Sequence, residues 1–408
     1  RERFAGINLE QLSGTKEKMY FKGKYFNFPF DPKNILLKMN KSKIPGVVFQ
    51  LALKNIFKHG PARRSQDVEE WVIQAVGSRI YEYIALGDYI RKLYGIPPSR
   101  VSNEWGIQKL KFLARWRDSS LTTLIARSFS EGSAVKGRVI HYPPGGIDSI
   151  AGGIAESFRH SGGTILLSAE ATSVRHRIDG ITVVCNQNGS EIELKGDFLI
   201  STLPITRLVD ILSPSPPSQI SQDVKSLKYR TLILLFLFLG RNELLKHQCI
   251  YFPEDHYVFR RITEFKHLGP QMAPPGKTSL CVEITCFEGD AIWGKGQEEL
   301  LHVVTEQLEG IGYLRREDME GHQLQRIPFA YPVYELGYAD VLDRVLNQLK
   351  SYPNMLSIGR QGLFFYNAMN SSILTSYELG EKLAQCRKED WAAIVEETYE
   401  SRKFKYFS

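Results

Sequence analysis

Cysteine is scarce: the 408-residue chain holds five, Cys185, Cys249, Cys281, Cys286 and Cys386, and no two form a C-x-x-C pair. Their odd count and wide spacing exclude a disulfide framework and a zinc cage. A reducing, cytoplasmic setting is the expectation. Long apolar runs are lacking too. The longest, residues 231–239, falls far short of the ~20 residues of a membrane-spanning helix, and its Leu, Ile and Phe content suits a buried strand. No signal-peptide or other targeting pattern, internal repeat or low-complexity tract is present. The chain opens on Arg1 without an initiator Met and reads as a fragment or a processed chain. With 43% apolar and 24% charged residues, disorder, collagen and coiled coil are excluded. The length admits two to three domains with substantial cores.

What is present in excess is positive charge at one end. Residues 1–64 hold 14 Lys and Arg against 4 Asp and Glu, and the other 344 hold 38 against 41, so the formal net charge of +7 comes wholly from the first sixth. Within residues 41–64, Val47, Val48, Leu51 and Leu53 interleave with Lys43, Lys54 and Lys58, and Arg63 and Arg64 come after them. Such a segment would suit peripheral contact with an anionic membrane surface. The competing expectation is a helix packed into a helical subdomain with its lysines in water. A nucleic-acid partner is not expected.

Residues 33–128 read mostly as helix: apolar positions at helical spacing run over residues 66–94 and stop at Gly95, Pro97 and Pro98, and a second helix is expected over 104–116. The character changes at Val139. A short strand over 139–142, a Pro-Pro-Gly-Gly turn and a helix over 147–160 are succeeded by strand signals at 165–167, 173–178, 181–187, 192–195 and 198–201. Asp179-Gly180 and Asn188-Gly189 stand at hairpin positions between them. Strand-like runs at 229–239, 248–252, 256–265 and 279–287 predict an antiparallel sheet. Helices are expected over 297–308, 339–349 and about 370–386, with strands near 323–327 and over 355–358.

The most informative stretch is residues 357–372, Ser-Ile-Gly-Arg-Gln-Gly-Leu-Phe-Phe-Tyr-Asn-Ala-Met-Asn-Ser-Ser. A strand ends in a Gly-rich, aromatic loop, and a helix then begins at an Asn/Ser cap. The loose backbone allows close approach to a ligand, and the free N–H groups of the helix start favour a negative group such as a phosphate or a reduced flavin ring. On the residues alone, a capped helix after a glycine turn accounts for it equally well. Arg230 and Arg260 are candidates for binding an anionic substrate, with a structural ion pair as the alternative. His141 is a weaker candidate. Cys281 and Cys286, five apart on one strand, would face opposite ways, so no shared metal is expected.

The stretch resembles the C-terminal flavin-binding signature of the superfamily that contains amine oxidases, protoporphyrinogen oxidases and UDP-galactopyranose mutases. Upstream, Tyr142-Pro143-Pro144-Gly145-Gly146, Gly163 and Ala169 to Val174 are similar to its middle segment. Residues 198–203 with Pro204 are similar to the strand that returns under the flavin, Tyr331-Pro332-Val333-Tyr334 to its Tyr-Pro-x-Tyr segment, and Tyr89 to Lys92 to a Tyr-x-x-Lys element. The resemblance runs along nearly the whole chain in order. It implies FAD as cofactor, with Val174, Pro204, Gly359, Arg360, Gly362, Tyr366, Met369 and Asn370 as cofactor-binding residues, and Tyr331 and Tyr334 beside the two arginines as substrate contacts.

It further implies an α/β fold in which a discontinuous, Rossmann-like FAD domain, residues 136–210 and 345–408, joins an α+β substrate domain. The latter would combine a mainly helical part, 1–135, with an antiparallel sheet in 211–344. The implied activity is hydride transfer from a small-molecule substrate to flavin. A mutase-like isomerase acting on a sugar nucleotide, or a non-catalytic flavin-fold fragment, are the rivals. Two departures stand out. No G-x-G-x-x-G turn occurs in the chain, so an amino-terminal dinucleotide-binding segment is expected to be missing and the chain as given to bind FAD poorly. Ala368 and Asn370 stand where the mutase-like pattern carries carboxylates around Met369.

Overall fold

The apolar run 231–239 lies within the strand Tyr229–Leu239. It pairs antiparallel with Thr278–Cys286 in a register that sets Ile233 opposite Ile284, Leu235 opposite Val282 and Leu237 opposite Leu280. All six are buried. Leu300, Val304 and Leu308 of the helix Gln297–Gly310 close over the same core. These strands belong to a seven-stranded sheet in the order Met319–Pro332, Tyr229–Leu239, Thr278–Cys286, Arg261–Glu264, Cys249–Tyr251, Glu17–Phe21, Lys24–Phe28. The pairing of Cys249–Tyr251 with Glu17–Phe21 is parallel.

The structure, a computed structural model, describes residues 10–12, 17–30, 32–47, 49–50, 65–110, 140–177, 180–352, 354–387 and 390–401. The expected continuation of a helix to residue 116, and the segment 51–64 with Lys54, Lys58, Arg63 and Arg64, lie outside them. Contacts divide the chain into two units, one from 1–164 and 230–328, the other from 165–229 and 329–408.

The first unit holds most of the large sheet. The hairpin Glu17–Phe28 has no counterpart in the sequence reading; Lys22 and Gly23, both at positive φ, make its turn. The expected single helix 66–94 is three helices, Val68–Val76, Ser78–Tyr83 and Leu86–Tyr94. Positive φ at Gly77 and Ala85 interrupts the right-handed path. Of the expected strand 256–265, only Arg261–Glu264 pairs. Ile140–Tyr142 pairs with Glu10–Leu12, which places it, with the helix Asp148–His160, in this unit rather than with residues 165–210. No helix among the described residues is long and apolar enough to cross a membrane.

The second unit contains a four-stranded sheet in the order Ser190–Gly196, Gly180–Gln187, Ala169–Arg177, Leu212–Ser213, and a parallel pair, Met355–Ser357 with Leu199–Ser201. Asn188 and Gly189, both at positive φ, form the expected hairpin turn. Residues 165–167 are not a strand. Residues 211–229 and 329–344 belong here, away from the expected boundaries, because the helix Ser218–Ser226 packs on Tyr338–Leu349 and Asp223 pairs with Arg344 at 2.7 Å.

Candidate functional site

In the second unit the two parallel strands finish side by side, Ser357 opposite Ser201, and Ile358 N–H donates to the Ser201 carbonyl at 2.8 Å. Gly359, at φ +80, then swings the chain into the single turn Gly359–Gly362. A side chain here would be strained, because this backbone region costs an L-residue roughly 1–2 kcal/mol. The space beside it is open, with only Thr202 Cγ2 at 4.0 Å from where a Cβ would stand. Gly362 is glycine for the opposite reason. A Cβ there would lie 2.6 Å from Ser357 Oγ and 3.3 and 3.4 Å from the carbonyls of Ser201 and Leu203. Ser357 Oγ donates to Gly362 O at 2.8 Å, and Ser357 N–H donates to the hydroxyl of buried Tyr399 at 3.0 Å.

Arg360 holds the two ends of the loop together. Its Nε and Nη2 donate to Ala330 O at 3.2 and 2.9 Å, and Nη1 donates to Asn367 O at 2.6 Å. The guanidinium also lies 4.5 Å from the Tyr366 ring centre and 5.1 Å from that of Tyr331, a separation at which ring and cation attract. Tyr334 is fully buried, stacks on Tyr338 at 4.4 Å, and accepts from Tyr366 N–H at 2.8 Å. It therefore supports the loop from below, whereas Tyr331 and Tyr366 are half-buried.

Further side chains in and beside this stretch complete the loop. Tyr229 hydroxyl donates to Gln361 O at 2.7 Å. Phe364, at φ +50 and buried, packs edge-on against Tyr229 with ring centres 4.9 Å apart. Burial pushes the Tyr229 hydroxyl well above its ordinary pKa and that of Tyr399 to about 12. Both stay protonated near neutrality. Two buried amide oxygens have no hydrogen-bond partner, Gln361 Oε1 and Asn367 Oδ1, and Asn367 is only 6% exposed. Such orphans are costly unless a ligand or water completes them.

The loop feeds directly into the helix Met369–Gln385. Ala368 occupies the cap position with extended backbone but offers no side-chain acceptor, and the first turn holds no acid. Met369 and Asn370 are exposed there. The expected Asn/Ser cap is thus absent, and the first N–H groups remain available to an electronegative ligand. A flavin ring, which carries carbonyl oxygens and gains negative charge on reduction, fits this donor set.

The remaining candidates are dispersed over both units. Val174 is buried in Ala169–Arg177, its N–H donating to Ile211 O at 2.8 Å. Pro204 caps the helix Ile205–Asp210 just after Leu199–Ser201. Arg230 and Arg260 belong to the first unit and are both nearly inaccessible. Arg230 donates to Thr285 O at 2.9 Å and Leu93 O at 3.3 Å, with Asp290 at 3.7 Å; burial lowers its pKa to about 10. Arg260 pairs with buried Glu283 at 2.8 Å, and Arg261 pairs with the same carboxylate. Burial pushes the Glu283 carboxyl up, but the two guanidiniums outweigh it and hold it below the ordinary range. The structure thus gives both arginines intramolecular partners. His141 is exposed. Lys92, within the Tyr-x-x-Lys element, donates to the carbonyls of Glu254 and Tyr257 at 2.7 and 2.8 Å, and burial pulls its pKa down to about 7.

A family model described as flavin containing amine oxidoreductase matches residues 8–371. No curated protein matches the sequence. Among solved structures, a reduced UDP-galactopyranose mutase superposes with a TM-score of 0.75 at 19% identity, over 97% of this chain and 84% of the other. A candidate protoporphyrinogen oxidase from Exiguobacterium sp. 255-15 gives 0.68 at 15%, over 93% and 83%. Cyclohexylamine oxidase from Brevibacterium oxydans IH-35A gives 0.54 at 12%, over 96% and 83%.

Proposed function

The chain belongs to the family of flavin-containing amine oxidoreductases, and from that premise we propose that it is an FAD-dependent enzyme that takes hydride from a C–H bond next to nitrogen or within a conjugated ring. The observation that carries this reading is the uncapped start of the helix Met369–Gln385 with the buried, unsatisfied Asn367 Oδ1 two residues before it. Bound FAD would supply the hydride acceptor. The amides of Met369 and Asn370 would hold an electronegative group of the cofactor and favour the charge it gains on reduction. Gly359 would keep the approach open, and Arg360 fixes the loop's shape through Ala330 and Asn367. Gln361 and Asn367 would offer their amide oxygens as acceptors to the cofactor. Tyr229 and Tyr399, kept protonated by burial, brace the loop through their hydroxyls.

Val174 lies on the strand Ala169–Arg177 and Pro204 at the helix start just past the strand Leu199–Ser201, where the remainder of the cofactor would rest. A parallel pair is stable only as part of a larger, covered sheet, and Phe198 and Ile200 beside and on Leu199–Ser201 are exposed. This supports a Rossmann-like sheet completed by the strand–turn–helix that the resemblance requires. Tyr331 and Tyr366, with rings 5.2 Å apart, form an aromatic wall for an apolar or cationic substrate. Oxygen uptake and peroxide release across an amine panel test the assignment. Turnover of amines with oxygen is expected. Conversion of a sugar nucleotide only after reduction by dithionite, with no amine turned over, would assign the isomerase chemistry instead.

A further inference from the structure

In the first unit a cavity of about 550 Å³ opens beside the hairpin turn of Glu17–Phe28. Its inner wall is apolar, with Phe26, Met39 and Val47 all buried. Its lining also carries four cations from three different elements: Lys22 and Lys24 at the hairpin, Lys43 after the helix Pro32–Lys38, and Arg79 on Ser78–Tyr83. Glu82 is the single lining carboxylate, so the cavity carries a net +3. Among the described residues none of the four cations is ion-paired. Lys24 Nζ donates to the Lys38 carbonyl at 3.1 Å and Lys22 Nζ lies 4.9 Å from the Phe21 ring centre, both neutral partners. By contrast, Arg91, Arg241, Arg260 and Arg261 of the same unit each meet a carboxylate, while Lys92 and Arg326 rest on carbonyls.

The Arg79 guanidinium lies against Gly46. A Cβ at Gly46 would lie 2.9 Å from Arg79 Cζ, so the missing side chain at Gly46 makes the room in which the guanidinium sits. Two large apolar side chains are left in water close by in sequence: Leu37 is 75% exposed, two residues from Met39, and Phe49 is 65% exposed, two residues from Val47.

We propose that this cavity binds a phosphate monoester of an apolar alcohol, the phosphate on the four cations and the apolar chain against Phe26, Met39 and Val47. Two or more negative charges on one head group match the net +3, and charge-assisted bonds from Lys and Arg are the strong ones available. The apolar wall gains nothing from inorganic phosphate but is covered by a hydrocarbon chain. The same chemistry occurs in a soluble phosphorylated metabolite and in a phosphatidic-acid head group in a membrane. The exposed Leu37 and Phe49 would enter the interface in the second case.

The test titrates the protein with dihexanoyl phosphatidic acid below its micelle concentration, with inorganic phosphate, and with phosphatidylcholine vesicles with or without phosphatidic acid. Dihexanoyl phosphatidic acid is expected to bind one per chain, and more tightly than inorganic phosphate. Lys43→Gln with Arg79→Gln should weaken it about tenfold or more, the scale of one lost charge-assisted contact. Gly46→Ala, which removes no charge but displaces Arg79, should weaken it in the same direction. Lys195→Gln with Lys225→Gln, the same charge change on exposed residues elsewhere, should leave it unchanged. Co-sedimentation with phosphatidic-acid vesicles would identify the membrane as the source; binding of the short-chain lipid without it would identify a soluble ligand. Equal affinity for inorganic phosphate, equal weakening by both double variants, or no binding by a variant-free, folded protein would overturn the proposal.

Discussion

Arg360 ties Ala330, Asn367 and two tyrosine rings into one loop, and that role needs a planar fork. Arg360→Lys keeps the charge but cannot reach both carbonyls, so it should cost about 1.5–3 kcal/mol of stability, read as a lower urea midpoint together with reduced flavin retention. The two glycines flanking it separate backbone strain from packing. Gly359→Ala should cost roughly 1–2 kcal/mol through its positive φ. Gly362→Ala forces a Cβ against Ser357 Oγ and two carbonyls that cannot swing away, and should be the more damaging of the pair. Lys92 makes the stability of the first unit depend on pH. Its folded pKa, about 7, lies below the ~10.4 of the unfolded chain, so between those values the unfolded state binds the extra proton and stability rises with pH. Lys92→Met should flatten that rise in urea midpoints measured across the window.

At the scale of elements, the helix Met369–Gln385 separates a ligand role from a structural one. Proline is tolerated at the first helical position, and Ala368 before it already has the extended backbone that proline demands. Met369→Pro should therefore leave the melting temperature of the flavin-free protein unchanged while removing one donor. Flavin affinity should fall by about threefold to tenfold, the range of one hydrogen bond. In the large sheet, Leu235→Ala would open a cavity in a fully buried position and should cost about 2–5 kcal/mol. Strands with unmixed apolar character, such as Tyr229–Leu239, were legible in the sequence to the residue. The breaks at Gly77 and Ala85 were not, because a positive φ at alanine has no sequence signal. The loop's glycines and Arg360 stood out in the sequence only through their resemblance to a flavin-binding signature. The orphaned Gln361 and Asn367 did not, since only three-dimensional burial distinguishes an unsatisfied amide from a solvated one.

Across the whole molecule, the charge excess of residues 1–64 contributes two of its lysines, Lys22 and Lys24, to the hairpin and a third, Lys43, to the same unpaired cluster. Composition alone showed the excess; the fold brings these three lysines and Arg79 to one cavity. All eight cofactor-binding candidates fall in one unit, although they are spread from Val174 to Asn370. Chain order alone could not show this, because the unit is assembled from two separated segments. The measurement that bears most directly on the flavin assignment is the visible spectrum of the protein purified from its natural source, recorded without oxygen, then with an amine panel and a reduced conjugated-ring substrate, then in air. The account predicts a flavin band that one of these bleaches and that air restores with one peroxide per flavin. A protein without flavin, or with a flavin band that neither an amine nor a reduced conjugated-ring substrate bleaches, would contradict it.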